Sequence, residues 1–155
     1  MPSPLRVAAV VAVIAWLPLA AQQAQPGADR VRERYTKYEF RVPMRDGARL
    51  FTAVYMPKDR STRYPFLITR TPYSVGPYGV DAYRASLGPS EDFQASGFIF
   101  VYQDARGRYM SEGEFKQVRP HVPVKRGPQD VDESSDMHDT IAWLLDHVPN
   151  HNGRA

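Results

Sequence analysis

The chain has 155 residues, enough for one domain with a buried core. Its 20 basic and 17 acidic residues are interspersed, so a net charge of +3 gives no basic stripe for nucleic acid. There is no cysteine, which excludes a disulfide framework, a thiol nucleophile and a thiolate metal site.

Residues 1–21 read as a secretory signal peptide. Arg6 precedes the apolar run Val7 to Leu17, and Ala20 and Ala21 precede the polar Gln22. The run is shorter than the roughly 20 residues a membrane-spanning helix needs. The expectation is therefore a periplasmic or secreted protein with no stable membrane anchor after cleavage. Residues 22–34 read as a polar, disordered leader.

Tyr35 to Val42 and Leu50 to Met56 are runs rich in aromatic and β-branched residues, with Asp46-Gly47 between them. Such a pair flanking Asp-Gly predicts a β-hairpin, because glycine accepts a positive φ. Tyr64 to Thr69 predicts a buried strand. Pro72 to Gly88 is a Gly/Pro/Tyr loop, too long for a simple connection. Ser90 to Ser96 predicts a short helix capped by Ser90 and ended by Gly97.

Phe98 to Tyr102 predicts another buried strand, and Gln103 to Gly113 a tightly specified loop after it. In that loop, Asp104 and Arg106 are expected to bond loop amides and each other. Gly107 and Gly113 are expected to supply turn conformations closed to other residues. The Pro-rich and basic stretch from Val118 to Gln129, with Arg119, Lys125 and Arg126, reads as a solvated excursion. Asp130 to His147 predicts a helix, its acidic start matched to the helix dipole. Met137, Ile141, Leu144, Leu145 and Val148 fall on one face of it. His138 lies beside Asp136 and Asp139 but lacks a second histidine four residues on, so no metal site is expected. The order of elements predicts an α/β sheet, 35–155, with an antiparallel N-terminal edge.

Four motifs carry a resemblance. They are Val42-Pro-Met-Arg-Asp-Gly47, Leu67-Ile-Thr-Arg-Thr-Pro-Tyr73, Gln103-Asp-x-Arg-Gly-x-Tyr-x-Ser-x-Gly113 and Asn152-Gly-Arg154. In this order and spacing they resemble the N-terminal part of the α-amino-acid ester hydrolases, grouped with the cocaine esterase and the Xaa-Pro dipeptidyl-peptidases. The resemblance implies an incomplete α/β-hydrolase fold, in which the N-terminal hairpin leads into a mostly parallel sheet. It implies serine-dependent hydrolysis or acyl transfer on small esters, amides or short peptides of α-amino-acid type. It also implies no metal or organic cofactor, and a homo-oligomer at full length. An Xaa-Pro dipeptidyl-peptidase or a carboxylesterase of the same group is the alternative. A non-catalytic exported binding module is the alternative from another class, and an open sheet edge argues against it.

The nucleophile elbow of such a fold, Gly-x-Ser-x-Gly, is absent from the sequence. The triad follows the order serine, acid, histidine. The serine, acid and histidine are all expected beyond residue 155, leaving the 155 residues inactive alone. One catalytic group is expected within the chain. The resemblance matches Tyr73 to a tyrosine whose hydroxyl donates to the oxyanion. Tyr78 and Tyr83 are assigned to loop packing or the pocket rim.

Overall fold

The computed structural model describes residues 26–155. The signal-peptide expectation lies outside the described residues. The expected leader is not disordered throughout: Pro26–Arg34 form a helix, α1, with Val31 fully buried. Proline suits the first helical turn, and burial of one valine anchors a segment whose composition is otherwise polar.

The hairpin forms as expected from β1 (Tyr35–Pro43) and β2 (Arg49–Pro57), paired antiparallel. Its turn closes with the Met44 amide donating to the Ala48 carbonyl at 2.8 Å, and Gly47 takes φ 88°. β3 spans Phe66–Thr71 and β4 spans Ile99–Asp104. Both are shifted toward the C-terminus of the expected strands, so Gln103 and Asp104 lie in β4 rather than in a loop. The sheet order is β1-β2-β4-β3. β2 and β4 are antiparallel, and β3 and β4 are parallel. Parallel pairing is therefore confined to one side of the described sheet. Just ahead of β3 in the chain, Tyr64 forms a parallel bridge with His151.

β2 and β4 are buried on both faces, as continuous apolar runs demand. On one face, Phe51, Ala53, Tyr55, Phe100 and Tyr102 pack with Val31 and with Val75 and Leu87 of the long loop. On the other, Val54, Ile99 and Val101 pack with Leu144 and Val148. Leu144 belongs to α3, Glu133–His147, and Val148 is its C-cap residue. Between β3 and β4, α2 (Glu91–Ser96) is capped by Ser90, whose Oγ accepts from the Phe93 amide.

α3 buries a face that shares Leu144 and Val148 with the expected one but is rotated toward polar residues. Ser135, Asp136, Thr140 and Leu144 are its buried residues, while Leu145 is exposed. Polar side chains can occupy this face because each has a partner. Thr140 Oγ1 accepts from Gln103 Nε2 at 3.0 Å, and Asp136 pairs with Arg106. Periodicity of apolar residues reports burial only where burial is apolar.

Candidate active site

β3 ends at Thr71, and Tyr73 follows two residues later, at the carboxyl end of a parallel strand, where sites form in α/β sheets. Tyr73 is 82% exposed, and its hydroxyl has no hydrogen-bond partner among the described residues. Its backbone is held. The Tyr73 amide donates to Thr71 Oγ1 at 3.1 Å, and the Pro72 carbonyl accepts from Arg108 Nε at 3.1 Å. Ser74 takes φ 77°, in the left-handed region that costs most side chains energy.

Asp104 lies beneath this turn and is fully buried. Its Oδ1 accepts from the Val75 amide at 3.0 Å; its Oδ2 accepts from the Tyr78 hydroxyl at 2.9 Å and the Met110 amide at 3.2 Å. Because the Tyr78 hydroxyl donates to Asp104, Ser74 Oγ donates to the Tyr78 oxygen at 2.9 Å and accepts from the Gly76 amide. Burial raises the pKa of the Tyr78 phenol, and the bond to Asp104 adds to the rise.

Asp104 and Arg106 do not bond each other. Arg106 donates instead to Asp136 (2.9 and 2.6 Å) and Asp46 (2.7 and 3.1 Å). The guanidinium thereby ties the hairpin turn to the start of α3, and those hydrogen bonds raise its pKa, Asp136 first. The two glycines serve this arrangement. Gly107 has φ 67°, and a Cβ there would lie 2.2 Å from the Phe115 amide nitrogen. Gly113 has φ 91°, and a Cβ there would lie 2.9 Å from Arg106 Cγ. Ser111 closes the loop onto the sheet: its Oγ donates to the Asp104 carbonyl at 2.7 Å and accepts from the Phe51 amide at 2.9 Å.

The long loop has a second anchor that the sequence reading did not identify. The Lys37 ammonium is fully buried and donates to the carbonyls of Pro77, Gly79 and Ala82 at 2.7–2.9 Å, while Glu39 pairs with it at 2.8 Å. The available signal was strand alternation, which puts Lys37 on the same inward face as Tyr35. Tyr83 accepts from the Lys37 amide, a packing role. Arg70, the residue before Thr71, is also largely buried; burial lowers its pKa, and Asp136 and Glu133 oppose that.

Lys125 is not solvated as expected. It pairs with the fully buried Asp132, which caps α3 and also accepts from the Val122 amide and the Ser135 amide. These bonds, Lys125 first, hold Asp132 well below the usual carboxylate range. Among the described residues, no group of three His, Asp or Glu side chains could hold a metal ion. No described helix is long and apolar enough to cross a membrane. Two surface cavities, about 390 and 350 Å³, lie beside Arg34 and Gln94, with Tyr35, Tyr64 and Gly97 lining the second. These residues mark the strand ends opposite Tyr73.

A hairpin leading into parallel strands, with a strand-end loop fixed around an exposed tyrosine, is the N-terminal part of an α/β-hydrolase-type sheet. Residues 46–155 match the family described as X-Pro dipeptidyl-peptidase (S15 family), and the chain belongs to that family. It is 37% identical over 107 residues to the cocaine esterase of Rhodococcus sp. (strain MB1 Bresler), covering 69% of this chain and 16% of that protein. Among solved structures it is similar to an aminopeptidase from a marine sediment Thaumarchaeota archaeon. That match has a TM-score of 0.65 and 32% identity, over 90% of this chain and 23% of the other. It is also similar to an α-amino acid ester hydrolase labelled with selenomethionine. Here the TM-score is 0.63 and the identity 33%, over 95% of this chain and 23% of the other. The chain thus spans less than a quarter of each of these relatives, all of them named as hydrolases of ester or peptide bonds.

Proposed function

We propose that this chain is the N-terminal part of the catalytic domain of an exported serine hydrolase acting on ester or amide bonds of α-amino-acid-type substrates. Tyr73 supplies an oxyanion donor, and the nucleophile, acid and histidine lie further along a longer protein. The exposed, unpartnered Tyr73 hydroxyl on a tied strand-end backbone is the observation that carries this reading. A hydroxyl carried on that backbone can donate to charge developing on a substrate carbonyl oxygen. The missing Gly-x-Ser-x-Gly supports a nucleophile outside the 155 residues. The N-terminal pattern of Arg6 and an apolar run supports export.

Hydrolysis of a p-nitrophenyl ester separates the possibilities. The 155 residues alone should give no turnover above background. The protein extended through its downstream sequence should give turnover that a serine-directed inhibitor abolishes. In that longer protein Tyr73→Phe should lower kcat about 10²–10³-fold, the usual loss for one oxyanion donor. Turnover by the 155 residues, or an unchanged kcat for Tyr73→Phe, overturns the assignment. The relatives include both an esterase and an aminopeptidase. Comparing this ester with an Xaa-Pro p-nitroanilide decides between ester and peptide preference.

A further inference from the structure

Asp104 is buried, faces no cation within salt-bridge distance among the described residues, and yet lies under the turn that carries the exposed Tyr73. Its two oxygens gather donors from three places: Val75, two residues after Tyr73; Tyr78, further along the same loop; and Met110, from the loop after β4. Through the Tyr78 hydroxyl it also reaches Ser74, the residue next to Tyr73 that holds a positive φ. On the other side, Arg108, from the same loop as Met110, holds the Pro72 carbonyl. The backbone on both flanks of Tyr73 is thus referred to the end of β4, while the Tyr73 hydroxyl makes no hydrogen bond to any of these groups among the described residues.

We infer that Asp104 is a positioning residue that sets the Tyr73 hydroxyl for catalysis by fixing the turn from Ser74 to Tyr78 onto β4. This rests on the reading of Tyr73 as an oxyanion donor. The chemistry requires a group with two acceptor oxygens. An asparagine presents one acceptor and one NH₂ group. Tyr78 can rotate its hydroxyl and accept from that NH₂. A backbone amide cannot. In either orientation of the asparagine, the Val75 or the Met110 N–H loses its acceptor. The turn then shifts, and Tyr73 shifts with it. A misplacement of about 1 Å can cost about 10²-fold in rate.

The test is a double-substitution cycle in the longer, active protein, read as kcat and KM separately. Asp104→Asn should lower kcat about 10- to 100-fold, with KM little changed. Tyr73→Phe with Asp104→Asn should be no slower than Tyr73→Phe alone, to within about twofold, because there is then no hydroxyl left to position. Losses that multiply in the double variant overturn the inference, since Asp104 would then act independently of Tyr73. A full kcat for Asp104→Asn beside a slow Tyr73→Phe overturns it too, and leaves the Tyr73 assignment standing. A full kcat for Tyr73→Phe removes that assignment and this inference together. Where Asp104→Asn does not fold, Tyr78→Phe takes its place in the same cycle. It removes one donor to Asp104 and the link to Ser74, and should show a smaller kcat loss with the same non-additivity.

Discussion

Arg106 is 4% exposed and sits between two carboxylates, of which Asp136 is itself 1% exposed. A planar guanidinium can engage both at once, each by two N–H groups; an ammonium cannot. Replacing one partner of such a buried set leaves an uncompensated charge, typically worth 3–5 kcal/mol. Arg106→Met should therefore destabilise the protein by about 3–5 kcal/mol in urea unfolding. A loss under about 1 kcal/mol would mean that Asp136 finds other partners. The sequence signalled part of this. Asp-x-Arg-Gly after an apolar run marked a specified loop, and Asp46-Gly47 marked a turn. It did not signal that Arg106 joins Asp46 and Asp136 rather than Asp104. That choice depends on where the hairpin turn and α3 meet, which no local spacing encodes.

At the scale of elements, α3 shows how a helix start is fixed. Asp132 accepts from the Ser135 amide, and Ser135 Oγ accepts from the Asp132 amide, a reciprocal box. Lys125 and Val122 fold back from the preceding excursion onto the same carboxylate. The carboxyl is held below its ordinary value, Lys125 contributing most. The folded state therefore binds that proton more weakly than the unfolded chain does. The resulting stability is fully present above the unfolded value, near 3.9, and is lost as pH falls below it toward the depressed folded value. Asp132→Asn retains a capping oxygen but not the charge. The stability difference between wild type and this variant should shrink steadily below about pH 4 in acid-unfolding curves. A difference independent of pH would mean that the charge contributes nothing. The acidic start of this helix was legible, as was the burial of Leu144 and Val148. The polar part of its buried face was not, because Asp136 and Thr140 have partners on β4 and its loop, and Ser135 has its partner in the cap residue Asp132.

For the whole molecule, the strands, the hairpin and both later helices were legible because each carries a local signature. The placing of β4 between β2 and β3 was not, since strand order depends on pairing across distant segments. The Tyr73 position followed from the resemblance, and its scaffold only from the folded chain. The loop from Pro72 to Gly88 contributes Val75 and Leu87 to the core and is held at its outer part by the Lys37 ammonium. That contact makes one amine a reporter. Of the four lysines, Lys37 has a fully buried ammonium, while Lys116 is more than half exposed. An amine-acylating reagent should modify Lys116 quickly and Lys37 only when the loop lifts from β1. The ratio of the two labelling rates, read by mass spectrometry, then gives the fraction of time the loop spends open. Equal rates would show that Pro77, Gly79 and Ala82 do not shield the amine. Because acylation removes the charge those carbonyls bind, each labelling event should also trap the loop away from the sheet, so that one chemical mark records a single opening.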